Sequence, residues 1–157
     1  MSKFIFVEGV IFPEKMLAMK MLITENIYIR DIKLGFTNLF PFLKIEFYRN
    51  VPGLHKHYSP EKKLSDNFKI GDAWKRKTTA EVDINDTTKV KDLEMTFMEK
   101  FGLAIQIFRK SGNLWLETTM TDNWTLKQQN DHGKEISAEK PVPEKDNPDF
   151  DLNRDPL

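Results

Sequence analysis

Chemistry needs groups that titrate, attack or bind a metal, and this chain offers few. Its three histidines are His55, His57 and His132. In an extended stretch His55 and His57 point to the same side. Two imidazoles do not close a zinc site, and neither Glu61 nor Asp66 stands at a spacing that completes one. Surface loop histidines are the commoner reading of such a pair. His132, in Asn130-Asp131-His132-Gly133, reads as part of a turn. Cysteine is absent, which excludes disulfides, thiolate catalysis and cysteine-bound zinc. No serine stands in a Gly-x-Ser-x-Gly elbow. The 7 glycines are spread singly, without a phosphate-cradling loop. Glu81 and Asp83 would face solvent from one strand, while Asp146, Asp149 and Asp151 fall in a polar C-terminal stretch. Neither set has the pocket that acid–base catalysis requires. An enzyme is the minority reading, and no cofactor or metal is expected.

Two regions suit binding better. Residues 52–79 carry an excess of Lys and Arg over Asp and Glu. Lys62, Lys63, Lys75, Arg76 and Lys77, with Trp74 beside them, combine phosphate-pairing cations with a stacking surface, the requirements for nucleic acid. A solvated basic loop is the blander and favoured account. The second region is a Trp-rich hairpin, where Trp115 and Trp124 flank Glu117-Thr118-Thr119-Met120-Thr121-Asp122. Large aromatics concentrate at binding hot spots, and they also fill cores. Trp115 alternates with Leu114 and Leu116, so one face of the hairpin is exposed unless a following helix, Trp124–Gln129, covers it. Trp115, Glu117, Thr119 and Trp124 are the candidate partner-binding residues.

The elements behind these groups follow from periodicity. Val90, Leu93, Phe97, Met98 and Phe101 fall on one helical face. Asp86, Thr87 and Thr88 offer N-caps, and Gly102 offers a left-handed stop. The spacing predicts a helix over Thr88–Phe101. Alternation predicts strands at Ala80–Ile84, Leu103–Phe108 and Leu114–Thr119, with a turn at Lys110–Asn113. Asp122 is a candidate cap for the short helix after them, and Gly133 a candidate end. An earlier stretch looks alike. Asp31, Phe36 and Phe40 precede Asp92, Phe97 and Phe101 by a constant 61 positions, and an alternating strand with Leu43, Ile45 and Phe47 follows, with a one-residue slip. A duplicated unit is the working expectation.

The 157 residues fit one domain or two very small ones. Hydrophobic residues at 39%, with 12 Phe, supply a core. Lys+Arg and Asp+Glu are 24 each, so net charge recruits neither nucleic acid nor a membrane. Residues 1–20 are read either as a strand at Lys3–Val7 or as an over-extended start, with Met16, Met19 or Met21 as the true beginning. The apolar Phe4–Val7 run is too short and too interrupted for a signal peptide, and a cytoplasmic setting is expected. Residues 21–50 form the first helix–strand unit and 51–77 a basic loop, which is expected either to contain a strand near Asn67–Ile70 or to be a mobile functional loop, because long structureless loops are rare in compact domains. Residues 78–133 hold the second unit. Lys134–Leu157, with Pro141, Pro143, Pro148 and Pro156 and few apolar residues, is expected to be a disordered tail.

The order strand, helix, strand, hairpin, opened by Val90-Lys91-Asp92-Leu93 and continued through Phe101-Gly102-Leu103-Ala104-Ile105-Gln106-Ile107-Phe108, resembles the β-grasp (ubiquitin-like) arrangement of small uncharacterised bacterial proteins. The resemblance covers about Thr78–Asn130 and implies an α+β, β-grasp-like β-α-β-β unit. It carries no catalytic residue with it. The last residues, Asp155-Pro156-Leu157, are unlike the Gly-Gly end of a conjugated modifier. The function expected is a non-enzymatic protein-interaction or scaffolding module that uses a sheet edge or the Trp hairpin, with the chain's own copy among its candidate partners. The alternative is nucleic-acid binding through the basic loop.

Overall fold

A computed structural model describes residues 18–49, 60–73 and 79–138. The elements run β1 (Ala18–Ile23), α1 (Ile29–Leu39), β2 (Leu43–Tyr48), α2 (Ile70–Ala73), β3 (Ala80–Asn85), α3 (Val90–Phe101), β4 (Ala104–Ser111), β5 (Leu114–Glu117) and α4 (Leu126–Ser137), with 3-10 turns at Pro60–Lys62 and Thr119–Thr121. This is a mixed α+β fold. Among the described residues the strands form two antiparallel sheets, β1-β3 and β2-β4-β5.

Alternation decides which strand faces point inward. In β1 Met19, Met21 and Ile23 are buried and their neighbours exposed; in β3 Val82 and Ile84 do the same. The helices present Ile29, Ile32 and Phe36 from α1 and Val90, Leu93, Phe97 and Phe101 from α3. α1 packs on β2 and α3 on β4. α3 also touches β3, and a Cβ added at Gly35 of α1 would lie 3.2 Å from Met21 Cε of β1. Each of these helices therefore contacts a strand of each sheet. Phe36, Phe40, Phe47, Phe97 and Phe101 are fully buried, each worth roughly 2–3 kcal/mol of transfer free energy. Phe47 meets Phe97 edge-on at 5.5 Å.

The two halves repeat one another's hydrogen bonds. Ile29 N donates to Phe68 O and Val90 N to Trp124 O. Arg30 N donates to Asp66 O and Lys91 N to Asp122 O. Ile70 N donates to Ile27 O and Leu126 N to Thr88 O; Leu64 N donates to Phe47 O and Thr118 N to Ile107 O. The ring pairs Phe36–Phe40 and Phe97–Phe101 have centroids 5.6 and 5.5 Å apart. The described strands of the first half then pair with strands of the second: Met21 lies opposite Val82 and Glu46 opposite Gln106.

Several expectations are corrected. The first described strand is Ala18–Ile23; the Lys3–Val7 strand lies outside the described residues. Met19 and Met21 are core residues of that strand, packed there because they alternate with Lys20 and Leu22. The strand expected near Asn67–Ile70 is a single bridge, Tyr28 to Lys69, followed by one helical turn. Met98, placed on the buried face of α3, is exposed at 37%. The helix expected at Trp124–Gln129 starts at Leu126 and continues to Ser137. Its cap is Thr125, whose hydroxyl accepts from Gln128 N while the Gln128 side chain accepts from Thr125 N, a capping box. Gly133 lies inside this helix. A Cβ there would stand 3.0 Å from Phe42 Cβ and Arg109 Cγ, so glycine permits the close approach of α4 to the sheet. Lys134–Ser137, expected in the tail, complete α4; residues 139–157 lie outside the described residues. The order β3, α3, β4, β5 is that of the β-grasp resemblance, but β3 belongs with β1 and β4 with β2 and β5.

Candidate functional site

Among the described residues, the outer edge of β5 brings exposed apolar side chains together at Leu114, Trp115 and Leu116. Two-residue hairpin chemistry sets it up: Gly112 takes φ 59°, and Ser111 pairs with Leu114 across the turn. The register continues with Lys110 opposite Trp115, Arg109 opposite Leu116 and Phe108 opposite Glu117. Thr118 fixes the far end, donating from both N and Oγ1 to Ile107 O at 3.2 and 3.0 Å. In an antiparallel ladder, backbone groups turn toward the neighbour at alternate residues. Since Thr118 turns toward β4, so do Leu116 and Leu114. Trp115 and Glu117 turn their N–H and C=O groups outward. No described strand pairs with that side.

All four residues of β5 are exposed. Leu114 is 66% exposed, Leu116 42% and, just past the strand, Met120 95%. Trp115 lies on the face shared with Phe108, and Lys44 Nζ sits 5.0 Å from the Phe108 centroid and 5.1 Å from that of Trp115. This cation–π stack holds the indole against the sheet. Trp124 lies just before α4, next to Arg109, the register partner of Leu116. His132 meets it edge-on at 5.7 Å and the Arg109 guanidinium lies 5.9 Å from its ring, while Arg109 also donates to Gln129 Oε1 at 2.7 Å. His132 is thus a helix residue packed on an indole, not a turn residue. Both indoles remain partly exposed. Glu117 is exposed and Thr119 half-buried.

The opposite edge of the sheet, β2, is covered at its Phe47–Arg49 end. Tyr48 bridges to Lys63, and Arg49 N donates to Lys62 O. Behind this cover a charge cluster surrounds one buried carboxylate. Glu46, 4% exposed, meets Lys33 Nζ at 2.9 Å, Lys63 Nζ at 3.0 Å and Lys44 Nζ at 3.9 Å. Lys33 also meets Asp66 at 2.7 Å. Burial opposes the Lys33 ammonium, but its hydrogen bonds to Asp66 and Glu46 outweigh that and hold it above its ordinary value. Burial pulls Lys44 down despite Glu46. Tyr48 is pushed up to about 12 by burial, then by Glu46 and Glu117. Every charge here is answered within the protein, as a structural cluster requires.

The nucleic-acid candidates are not brought together in the described residues. Lys63 is paired with Glu46, Lys62 is half-buried, and Trp74, Lys75, Arg76 and Lys77 lie outside the described residues, as do His55 and His57. Among the described residues no three His, Asp or Glu are grouped to hold a metal, and no helix is long and apolar enough to cross a membrane. Sequence reasoning passed over Met120 and Lys44. Only the pairing register shows that Lys44 reaches Trp115, since the two belong to different strands separated by β4. Comparison with protein-family models finds no match, and no curated protein or solved structure is significantly similar to the chain.

Proposed function

We propose that this chain is a non-enzymatic protein-interaction module that receives an extended strand on the outer edge of β5. The observation that carries this reading is an edge that no described strand pairs, whose residues are Leu114, Trp115, Leu116 and Glu117, all exposed. Proteins normally blunt such edges with charge, proline or a covering segment, and the other edge of this sheet is covered in that way by residues 62–64. Strand addition supplies main-chain hydrogen bonds from the edge and side-chain selectivity from its two faces. We read the chain further as two copies of one strand–helix–strand unit, a reading supported by the matched hydrogen bonds and Phe pairs. In that reading residues 62–64 and β5 are equivalents, and the second copy has elaborated a short bridge into an apolar strand. The division of the strands between two sheets leaves less support for a β-grasp unit.

The test is affinity capture with the full chain from its native host, beside the Trp115→Ser/Leu116→Thr double variant. The expected result is a bound protein that the variant loses while its circular dichroism stays unchanged. A partner retained by the variant, or low-salt capture of nucleic acid alone, refutes the reading.

A further inference from the structure

We propose that the occupant of the β5 edge is a second copy of this chain, paired antiparallel, β5 to β5, about a two-fold axis at Leu116. The proposal rests on the interaction reading above and names its partner.

The argument starts from which backbone groups are available. Trp115 and Glu117 face outward; Leu114 and Leu116 are engaged with β4. A symmetric antiparallel pairing must bring outward groups against outward groups. Every residue-centred axis does so, but one at Leu114 sets Trp115 against the partner's Asn113 in the hairpin turn, which leaves three centres to compare. Centring on Glu117 sets the two carboxylates opposite each other, and like charges in that position destabilise a sheet. Centring on Trp115 places Glu117 against the partner's Asn113 in the hairpin turn, where no strand continues. Centring on Leu116 sets Trp115 against the partner's Glu117 and Glu117 against the partner's Trp115. Only this register uses every outward N–H and C=O of the strand.

The side chains agree with it. On one face each Glu117 carboxylate arrives beside the partner's Trp115, the indole over which Lys44 Nζ sits at 5.1 Å and which Lys110 faces in the strand register. Two lysines therefore meet one incoming carboxylate, twice by symmetry. On the other face Leu116 meets the partner's Leu116 at a non-hydrogen-bonded position, where facing side chains approach most closely. The exposed surfaces of Leu116 and Leu114 are covered at the same time. The product is one continuous sheet of order β2-β4-β5-β5-β4-β2.

The absence of cysteine allows a sharp test. Residues facing each other at a non-hydrogen-bonded antiparallel position have Cα atoms about 4.5 Å apart, within the span of a disulfide, about 4.4–6.8 Å. Under mild oxidation the full chain carrying Leu116→Cys should form a covalent dimer, whereas Leu114→Cys, which faces the partner's Thr118, should stay largely uncoupled. The wild-type chain should sediment as a dimer at micromolar concentration. Glu117→Lys, which brings a third cation to each lysine pair, should weaken that dimer by about tenfold or more. A wild-type chain that stays monomeric, or a dimer that cross-links through Leu114→Cys in preference to Leu116→Cys, overturns the self-pairing. A monomer that still captures a different protein through Trp115 and Leu116 sinks only the self-pairing; a monomer that captures nothing sinks the interaction reading as well.

Discussion

Replacing Glu46 by glutamine keeps the shape of the side chain and removes its charge. Three ammonium groups surround that carboxylate, at 2.9, 3.0 and 3.9 Å. Near 3 Å and at an effective dielectric of 20, each close pair is worth about 5 kcal/mol before desolvation. Taking a carboxylate out of water costs several kcal/mol, and Glu46 is 4% exposed, so that cost is nearly complete. The amide would also leave Lys33 and Lys44 partly buried without their common counter-ion. Lys33 keeps Asp66, and Lys63 can turn to water, which limits the damage. The net expectation for Glu46→Gln is a loss of about 2–3 kcal/mol. With a urea slope of about 2 kcal/mol per molar, the unfolding midpoint at pH 7 should fall by roughly 1 M. A cycle with Lys33→Met should show a coupling of about 1–2 kcal/mol. A midpoint unchanged within about 0.2 M refutes the reasoning, since attraction and desolvation would then cancel. So does an equal loss in the Lys33→Met background, which would remove the pair from the account.

Stability should also decline in alkali. Tyr48 holds its proton to about 12 in the folded chain against about 10 when unfolded, and Lys33 is likewise raised. Both contributions are complete below the unfolded values and are lost as pH rises toward the folded ones. Lys44, lowered by burial, acts in the opposite sense. Urea midpoints measured from pH 9 to 12 should show the decline, up to about 3 kcal/mol for Tyr48, and Tyr48→Phe should flatten it; an unchanged slope in that variant assigns the effect elsewhere. Thr125→Ala removes the hydroxyl that caps α4 and should cost about 1 kcal/mol, read as a lower melting temperature, while Thr125→Ser should retain most of it. Equal losses for Ala and Ser would show that the cap is not the cause.

Local elements were readable wherever one period dominated. Val90, Leu93, Phe97 and Phe101 with Gly102 define α3, and Gly102 takes φ 64° as its position after the helix demands. The alternations in β3 and β4 and the turn at Gly112 needed only neighbouring residues. β1 carried the same signal in Met19, Met21 and Ile23, but methionines near the beginning of the chain also suggest start sites, and that competing reading hid it. The capping box Thr125-x-x-Gln128 was present as well, masked by the earlier Asp122 and by a glycine that reads as a stop. The pairing of β1 with β3 and of β2 with β4 was not readable, because it is decided by packing between distant segments. Glu46 was not readable for the same reason. In sequence it occupies an ordinary outward position of an alternating strand, and only the lysines delivered by α1 and residues 60–66 make that position an interior one.

The cross-pairing of the halves governs how the chain reaches its fold. Among the described residues, no strand of the first half pairs with another strand of that half; β1 and β2 both find their partners about sixty residues further on. The β4–β5 hairpin can form locally, but loop-closure entropy must be met before β1 or β2 finds its partner, so folding should be slow for a chain of this size. On the ribosome the first half emerges with its apolar edges unmatched and must wait for β3 and β4. A fragment ending before Ala80 should therefore be a client for chaperones rather than a miniature of the protein.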